Sequence, residues 1–409
     1  MRLSVPQKYY GPRSLLVFLI STHVILVCSL DMFVPALPSM QRELGISAAE
    51  LNLTIFVYLV CAAIGTLVSG PVSDKRGRKP LLLIFFSLFV LSSFLCVIAP
   101  NLPILVLGRA GQAFSYGVSM TIHTAIVKDS YEGEDLNLAM TLVESLIIIG
   151  PMVAPFLGTF FLSVGSWRTI FVFLGIAALV ALFPALFLTE TLSQEAMESK
   201  RDQKSFNALV QSVRELLKDK RFSMMALFMG TTGMPYFAFM SVVSYIILDY
   251  FALPYIGYNF IYMAFCLVTT IAPFVYMMLQ KRLTVASILR ICLVLSAISA
   301  VMMALFGKFS PVIFFFAFVP YTLTEGIVRP LAYVELLDQP KHRIGAASSF
   351  SNFSYSVMSS IATVIATLPW TNFIDAVWII LAVCTVAMTV FYLIWHKAWL
   401  AAQKAKHGE

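Results

Sequence analysis

Charged residues are scarce in this sequence. They make up 12% of the 409 residues, about half the share that is typical of a soluble domain. Hydrophobic residues reach 59%, so the composition excludes an ordinary soluble protein and predicts a chain embedded in a lipid bilayer. The net charge of +7 does not indicate nucleic acid as a partner, because the basic residues are spread over successive loops instead of clustering on one face.

The signatures of enzymes and metal sites are also missing. The 6 cysteines lie within apolar runs and show no paired spacing, which argues against a disulfide framework and a metal site. The sequence has no HExxH, no GxxxxGK[ST] and no GxSxG with triad partners. We therefore predict that the chain is not an enzyme, binds no cofactor or metal, and is not driven directly by ATP.

Long apolar runs dominate what is present. Each is long enough to cross about 30 Å of hydrocarbon. The runs cover residues 15–34, 51–73, 80–99, 102–127, 136–162 and 167–188, and then 221–248, 256–279, 286–306, 311–335, 343–368 and 373–396. We predict an all-α membrane protein in which twelve transmembrane helices form two six-helix bundles.

The polar segments divide the chain. The prediction is an N-terminal bundle over 1–188, a linker over 189–220, a C-terminal bundle over 221–396 and a tail over 397–409. If both termini lie on one face, most of the 28 Lys and Arg residues fall on that side, which the positive-inside rule identifies as the cytoplasm. Two joined six-helix halves are the layout of a transporter that rocks around a central binding site.

The loop Gly70–Pro80, with the sequence GPVSDKRGRKP, carries several of the few charges. We expect Gly70 to allow close helix approach, Asp74 to end a helix and Gly77 to permit the reversal. This spacing resembles the signature loop between the second and third helices of the major facilitator superfamily. The resemblance implies that Asp74 and Arg78 form a cytoplasmic latch between the halves.

Asp31 and Arg109 are ionisable residues within the apolar runs of the first half. Placing a charge in hydrocarbon costs about 2.5 to 3.5 kcal/mol on insertion scales. Asp31 is interpreted either as a cap on a fraying helix end or, the favoured alternative, as a buried functional carboxylate. Because Arg109 lies at nearly the same depth on a descending helix, the two can meet and respond to a proton.

Further motifs point to one group within the superfamily. The segment 105–112, with Arg109 and Gln112, resembles the fourth-helix motif of proton-coupled members, although Ala113 replaces the usual glycine. Segment 149–158 resembles the antiporter motif; a structural kink without directional meaning is the alternative. Its residues are Gly150, Pro151, Pro155 and Gly158.

Together with segment 30–38 and the segment Thr189–Thr191, these motifs resemble those of the bicyclomycin and chloramphenicol resistance transporters, which are twelve-span drug:proton antiporters. The resemblance implies a bacterial inner membrane, a proton gradient as energy source, and Asp31 as the coupling carboxylate with Arg109 as its partner.

The tenth apolar run, which lies in the second half, contains Glu325 and Arg329, four residues apart. They either form a structural pair that neutralises its own charge or have two separate functional roles. In the second case Arg329 reaches Glu144 as an inner gate, and Glu325 is a further proton or cation site. The histidines His23 and His123 are interpreted as polar packing residues.

Aromatic residues crowd the start of the second half. Most are interpreted as interface belt and packing, whereas those facing inward form a deformable wall for flat or cationic compounds. The candidate substrate-binding residues are Gln112, Tyr236, Phe237 and Met240.

The functional prediction is a monomeric, proton-coupled exporter of drugs or other small lipophilic or cationic organic compounds. A dedicated exporter of a metabolite, siderophore or sugar on the same fold is the alternative, and a non-transporting sensor is a third possibility.

Overall fold

The computed structural model describes residues 3–192, 205–340 and 343–407. Within these ranges the side chains of residues 71, 144–149, 205–210, 344–345 and 401–407 lie outside the description. The described ranges are helical and contain no strand. Their twelve long helices are α1 (Pro12–Asp31), α2 (Ala48–Arg76), α3 (Arg78–Val97), α4 (Leu102–Ser130), α5 (Gly133–Val164), α6 (Trp167–Ala185), α7 (Lys220–Ser244), α8 (Tyr255–Leu279), α9 (Val285–Phe306), α10 (Pro311–Leu337), α11 (Ile344–Ala366) and α12 (Phe373–His407).

Each long helix coincides with one of the apolar runs, which confirms the predicted fold class. Shorter elements lie between them: a 3-10 turn at Val34–Ala36, helices at Leu37–Leu44 and Ser205–Leu216, and a π-helical segment at Tyr245–Tyr250. Among the residues described, nine segments are apolar and long enough to span a membrane, and they include all the long helices except α4, α5 and α11. In α4, Arg109, Gln112 and His123 interrupt the apolar sequence.

The chain divides into two compact units, 1–206 and 207–409. The division falls inside the predicted linker, 189–220. The second part of that linker forms the short helix Ser205–Leu216. We call residues 1–206 the first unit and residues 207–409 the second unit.

Small residues set the packing of the first unit. The added Cβ of an alanine at Gly65 or Gly117 would collide with backbone atoms of the facing helix, Phe114 and Ala62 respectively. Helices α2 and α4 therefore pack with their backbones in close approach. Gly150 faces the Val27 side chain and Gly158 faces the Met32 carbonyl. Helix α5 therefore packs closely on α1 and on the turn that follows it.

Helix α5 is continuous from Gly133 to Val164 although Pro151 and Pro155 lie inside it. Proline removes a backbone donor from the helix interior. Gly150 and Gly158 bracket these prolines and form the surface against α1. The four residues of the predicted antiporter motif thus occupy the segment of α5 that packs closely on α1, and their directional role stays a prediction.

The second unit is built around α7, which packs on α11 and α12, while α10 packs on α8 and α9. Phe239 contacts Phe265 and Phe318, with ring centroids 4.6 and 4.7 Å apart. After Ser244 the helix widens into the π-helical segment, and Ala252 then adopts a positive φ of 52°. The aromatic residues near the start of this unit thus supply much of its packing.

Candidate functional site

Arg109 is the centre of a buried polar cluster in the first unit. Its side chain is 0% exposed, and its guanidinium carbon lies 4.1 Å from the ring centroid of Phe33 and 4.3 Å from that of Tyr58. Nη1 donates hydrogen bonds to the Ser29 carbonyl oxygen (3.0 Å) and to Gln112 Oε1 (2.9 Å). A desolvated cation over an aromatic face is stabilised by about 2 kcal/mol, so two rings offset part of the cost of burying this charge.

Gln112 fixes the orientation of the guanidinium. Its amide nitrogen donates to Ser93 Oγ at 2.7 Å, while its oxygen accepts from Arg109. Gln112 is 0% exposed, and every partner named here belongs to the first unit. The predicted role of Gln112 in substrate binding is untested, and its visible contacts are those of a residue that positions Arg109.

Asp31 is the last residue of α1 and is 4% exposed. Its charge interacts electrostatically with Arg109 and with Tyr58. The structure thus brings the predicted carboxylate and arginine into one cluster, as their depths suggested. Arg109 Nε and Nη2 have no hydrogen-bond partner among the described residues, so the cluster retains donor capacity for a negatively charged or polar group.

Sequence reasoning missed Tyr58 and Ser29, which complete this cluster. The Tyr58 hydroxyl lies 2.6 Å from Ser29 Oγ, and the ring covers one face of the Arg109 guanidinium. A tyrosine within an otherwise apolar run of α2 was the available signal. It could not be assigned to Arg109 because the pairing depends on how α2 packs against α4.

The loop between α2 and α3 forms a second charged cluster. Arg78 Nη2 lies 2.8 Å from Asp74 Oδ1 and its Nε lies 3.2 Å from Asp129 Oδ2. Arg78 Nη1 also donates to Ser73 Oγ at 2.5 Å. Asp74 and Arg78 therefore form an ion pair within the first unit, and their predicted role as a latch stays a prediction.

Glycine has a clear conformational role at Gly77, where φ is +91°, so the predicted reversal is confirmed. Carboxylate oxygens of Glu190 accept hydrogen bonds from the backbone N–H groups of Arg78 (2.9 Å) and Lys79 (3.1 Å). They also accept from the N–H groups of residues 191 and 192. An anion here satisfies free donors at the start of α3. A Cβ at Gly70 would meet no described atom within 4 Å, so the close approach predicted there is absent from this part of the structure.

Glu325 anchors the buried polar cluster of the second unit. It is 3% exposed, and the Tyr355 hydroxyl donates a hydrogen bond to its Oε1 at 2.7 Å. The guanidinium carbon of Arg329 lies 5.0 Å from the Tyr355 ring centroid. The pair predicted from its four-residue spacing thus shares Tyr355, a residue of α11 that sequence reasoning missed.

The remaining candidate site residues are Glu144 on α5 and three residues of α7. The side chain of Glu144 lies outside the described residues, so the Glu144–Arg329 gate stays a prediction. Tyr236, Phe237 and Met240 are half-buried on α7, and the Phe237 ring contacts that of Tyr355 with centroids 6.1 Å apart. Phe237 is thereby joined to the Glu325 cluster, whereas substrate contact by any of the three is untested.

Twelve long helices in two units, nine of them apolar and long enough to span a membrane among the described residues, define a multi-pass membrane protein. The Major Facilitator Superfamily model matches residues 19–363 of the chain. The chain therefore belongs to the major facilitator superfamily. This family and fold are those of membrane transporters and not of enzymes.

Three relatives illustrate the similarity. The chain is 30% identical to the Uncharacterized MFS-type transporter YdgK of Bacillus subtilis (strain 168) over 359 residues, which are 86% of this chain and 88% of that protein. It is 29% identical to Multidrug resistance protein D of Escherichia coli (strain K12) over 35% of this chain and 36% of that one. It is 33% identical to the Chloramphenicol resistance protein of Pseudomonas aeruginosa over 37% and 36% of the two chains.

Among solved structures, the fold resembles the bacterial homolog of the human lysosomal transporter Spinster. The TM-score is 0.75 at 12% sequence identity, covering 96% of this chain and 98% of that chain. At this identity the similarity concerns the fold alone. It agrees with the arrangement of twelve long helices described above.

Proposed function

We propose that this protein is a proton-coupled exporter of lipophilic or cationic organic compounds, working by alternating access in a bacterial inner membrane with both termini in the cytoplasm. The observation that carries the proposal is that Asp31 and Arg109 are both buried in the first unit and interact electrostatically. The names of the relatives from Escherichia coli and Pseudomonas aeruginosa support a drug as substrate.

The chemistry follows from the charge at Asp31. In a site of low dielectric constant, the attraction between the ionised Asp31 carboxylate and the Arg109 guanidinium stabilises both charges. When a proton binds Asp31, that attraction is lost and the guanidinium retains its charge with only its neutral partners, Ser29, Gln112 and the aromatic rings. A cationic substrate and a proton would then compete for the same carboxylate, which couples uptake of one to release of the other.

The first experiment identifies the substrate. Growth of cells that lack or overproduce the protein is compared across unrelated toxic compounds, including chloramphenicol and ethidium. Resistance that rises with the protein for several unrelated compounds supports a drug exporter. Resistance to none of them, combined with export of a single metabolite, siderophore or sugar, supports the alternative function.

The second experiment tests the coupling. Everted membrane vesicles are acidified by respiration, and a pH-sensitive dye reports proton release when a transported compound is added. Asp31→Asn should abolish this release while the protein still folds, because the amide cannot take up a proton. Asp375→Asn is the matched control, since Asp375 pairs with Lys308 at 2.7 Å in the second unit and should release protons normally. Unchanged release in Asp31→Asn would remove Asp31 from the mechanism.

A further inference from the structure

Two histidines meet in the interior of the first unit, away from the Arg109 cluster. His23 on α1 is 1% exposed and His123 on α4 is 0% exposed. Their ring centroids are 5.9 Å apart, and the Phe86 ring of α3 lies 6.0 Å from that of His123. Both imidazoles are therefore enclosed by the helices of one unit.

The hydrogen bonds of this pair are incomplete. His123 Nε2 lies 3.0 Å from Thr22 Oγ1, whereas His123 Nδ1 and both ring nitrogens of His23 have no hydrogen-bond partner among the described residues. A buried polar atom without a partner costs about 1–3 kcal/mol. Packing alone therefore does not account for two imidazoles here, because apolar side chains would fill the space without that cost.

The hydroxyl of Thr22 indicates the tautomer of His123. Thr22 Oγ1 has one proton, and it lies 3.0 Å from the carbonyl oxygens of Phe18 and Leu19, which can only accept. When the hydroxyl proton goes to one of these carbonyl oxygens, the proton shared with His123 comes from Nε2–H of the ring. In that tautomer, His123 Nδ1 is a basic nitrogen with an unused lone pair.

A single proton suits this arrangement. Protonation of His123 Nδ1 gives an imidazolium whose Nε2–H still donates to Thr22 and whose Nδ1–H can donate to a lone pair of His23. Such a hydrogen bond needs a nitrogen-to-nitrogen separation of about 3 Å, and the two ring centroids are 5.9 Å apart. A second proton would place two like charges side by side in a desolvated site, so the pair holds one proton at most.

On α4 the charged residues nearest to His123 in sequence are Lys128 and Asp129, five and six residues later, which correspond to about 8 and 9 Å of helix. Asp31 is eight residues further along α1 and Arg109 is fourteen residues earlier on α4, which correspond to about 12 and 21 Å of helix. The charged residues on the surrounding helices are Arg13 and Asp31 of α1, Glu50, Asp74, Lys75 and Arg76 of α2, Arg78 and Lys79 of α3, Arg109, Lys128 and Asp129 of α4, Glu134, Asp135 and Glu144 of α5, and Arg168 of α6.

We propose that His23 and His123 form a second proton-binding site, distinct from Asp31, that holds one shared proton during the transport cycle. Its part in transport rests on the proposed proton coupling, whereas its proton binding does not. Two ionisable sites about two helical turns apart on α1 would let a proton move through the first unit in two steps.

The test measures proton binding without transport. The purified protein, labelled with ¹³C and ¹⁵N in its 5 histidines, is placed in lipid nanodiscs and titrated from pH 8 to pH 5 by NMR without substrate. Single His→Gln variants assign the signals. We expect the His23 and His123 signals to change together with one midpoint, and His123→Gln to lower the proton affinity of His23 by at least about tenfold. His23→Gln should have the reciprocal effect on His123.

His396→Gln is the matched control. His396 also has a ring nitrogen without a partner among the described residues, but it lies on α12, stacked on Tyr392 with centroids 5.5 Å apart. This variant should leave the joint titration unchanged. Imidazole signals that stay constant from pH 8 to pH 5, or a His23 midpoint that is unaffected by His123→Gln, would overturn the proposal.

A transport measurement separates this proposal from the proposed function. In everted vesicles, His23→Gln/His123→Gln should release fewer protons per compound exported than the unaltered protein does. If the unaltered protein releases no protons with any compound, the proposed function fails while the NMR titration still decides whether the pair binds a proton. A double variant with unaltered proton release would exclude the pair from the transport cycle.

Discussion

Replacing Glu190 by alanine should destabilise the start of α3. The Glu190 carboxylate accepts hydrogen bonds from the backbone N–H groups of Arg78 and Lys79, at 2.9 and 3.1 Å, and from those of Thr191 and Leu192, at 3.0 and 3.1 Å. Alanine leaves all four donors without this acceptor. Water can replace part of the loss because Glu190 is half-exposed.

The expected loss is about 2 kcal/mol, near the upper values for helix capping and for anions at a helix N-terminus. A cooperative unit of about 200 residues loses about 2–4 °C in melting temperature for each kcal/mol. We therefore expect the melting temperature of Glu190→Ala to be about 4–8 °C lower. Intrinsic fluorescence of the purified protein in detergent measures this temperature. Glu190→Gln should lose about half as much, since the amide keeps one acceptor oxygen but lacks the charge.

Glu134→Ala is the matched control for this experiment. Glu134 is an acidic residue in the first turn of a long helix, α5, and it is exposed. Its replacement should change the free energy of unfolding by no more than about 0.5 kcal/mol. If Glu190→Ala melts at the same temperature as Glu134→Ala, the Glu190 carboxylate does not stabilise α3 and the reasoning is refuted.

Two further predictions concern the charged clusters. Gly77→Ala should lower the melting temperature at least as much as Glu190→Ala, because φ at Gly77 is +91° and the new Cβ would meet the Glu190 carboxylate. The double variant Gly77→Ala/Glu190→Ala should lower the melting temperature by less than the sum of the two single changes. Strictly additive changes in melting temperature would contradict a clash between the new Cβ and Glu190. Arg109→Lys should reduce resistance to the identified compound to the level of cells without the protein, because an ammonium group cannot reproduce the guanidinium stacking on Phe33 and Tyr58. Resistance equal to that of the unaltered protein would show that the charge alone suffices.

The sequence was sufficient to predict the twelve helices, because hydrophobic length along one chain decides which segments can span a bilayer. It also predicted the reversal at Gly77 and the proximity of Asp31 and Arg109, since helix direction and residue number together set depth. These features depend on local conformation or on position along one axis.

Contacts that depend on the rotation of one helix against another could not be read in the same way. Tyr58 and Tyr355 were missed as partners of Arg109 and Glu325 because each lies on a neighbouring helix far away in sequence. Glu190 was noted as part of a motif, but its capping of α3 requires the chain after α6 to return to the start of α3. The pairing of His23 with His123 likewise depends on how α1 and α4 face each other.

The close packing of α5 on α1 has a mechanical consequence. Gly158 lies against the Met32 carbonyl, one residue after Asp31, and Gly150 lies against Val27. At Gly158 no side chain separates α5 from the backbone that follows α1, so a tilt of either helix moves the other. The carboxylate at the end of α1 therefore travels with α5, so bulky residues at Gly150 or Gly158 would displace Asp31 without altering its chemistry.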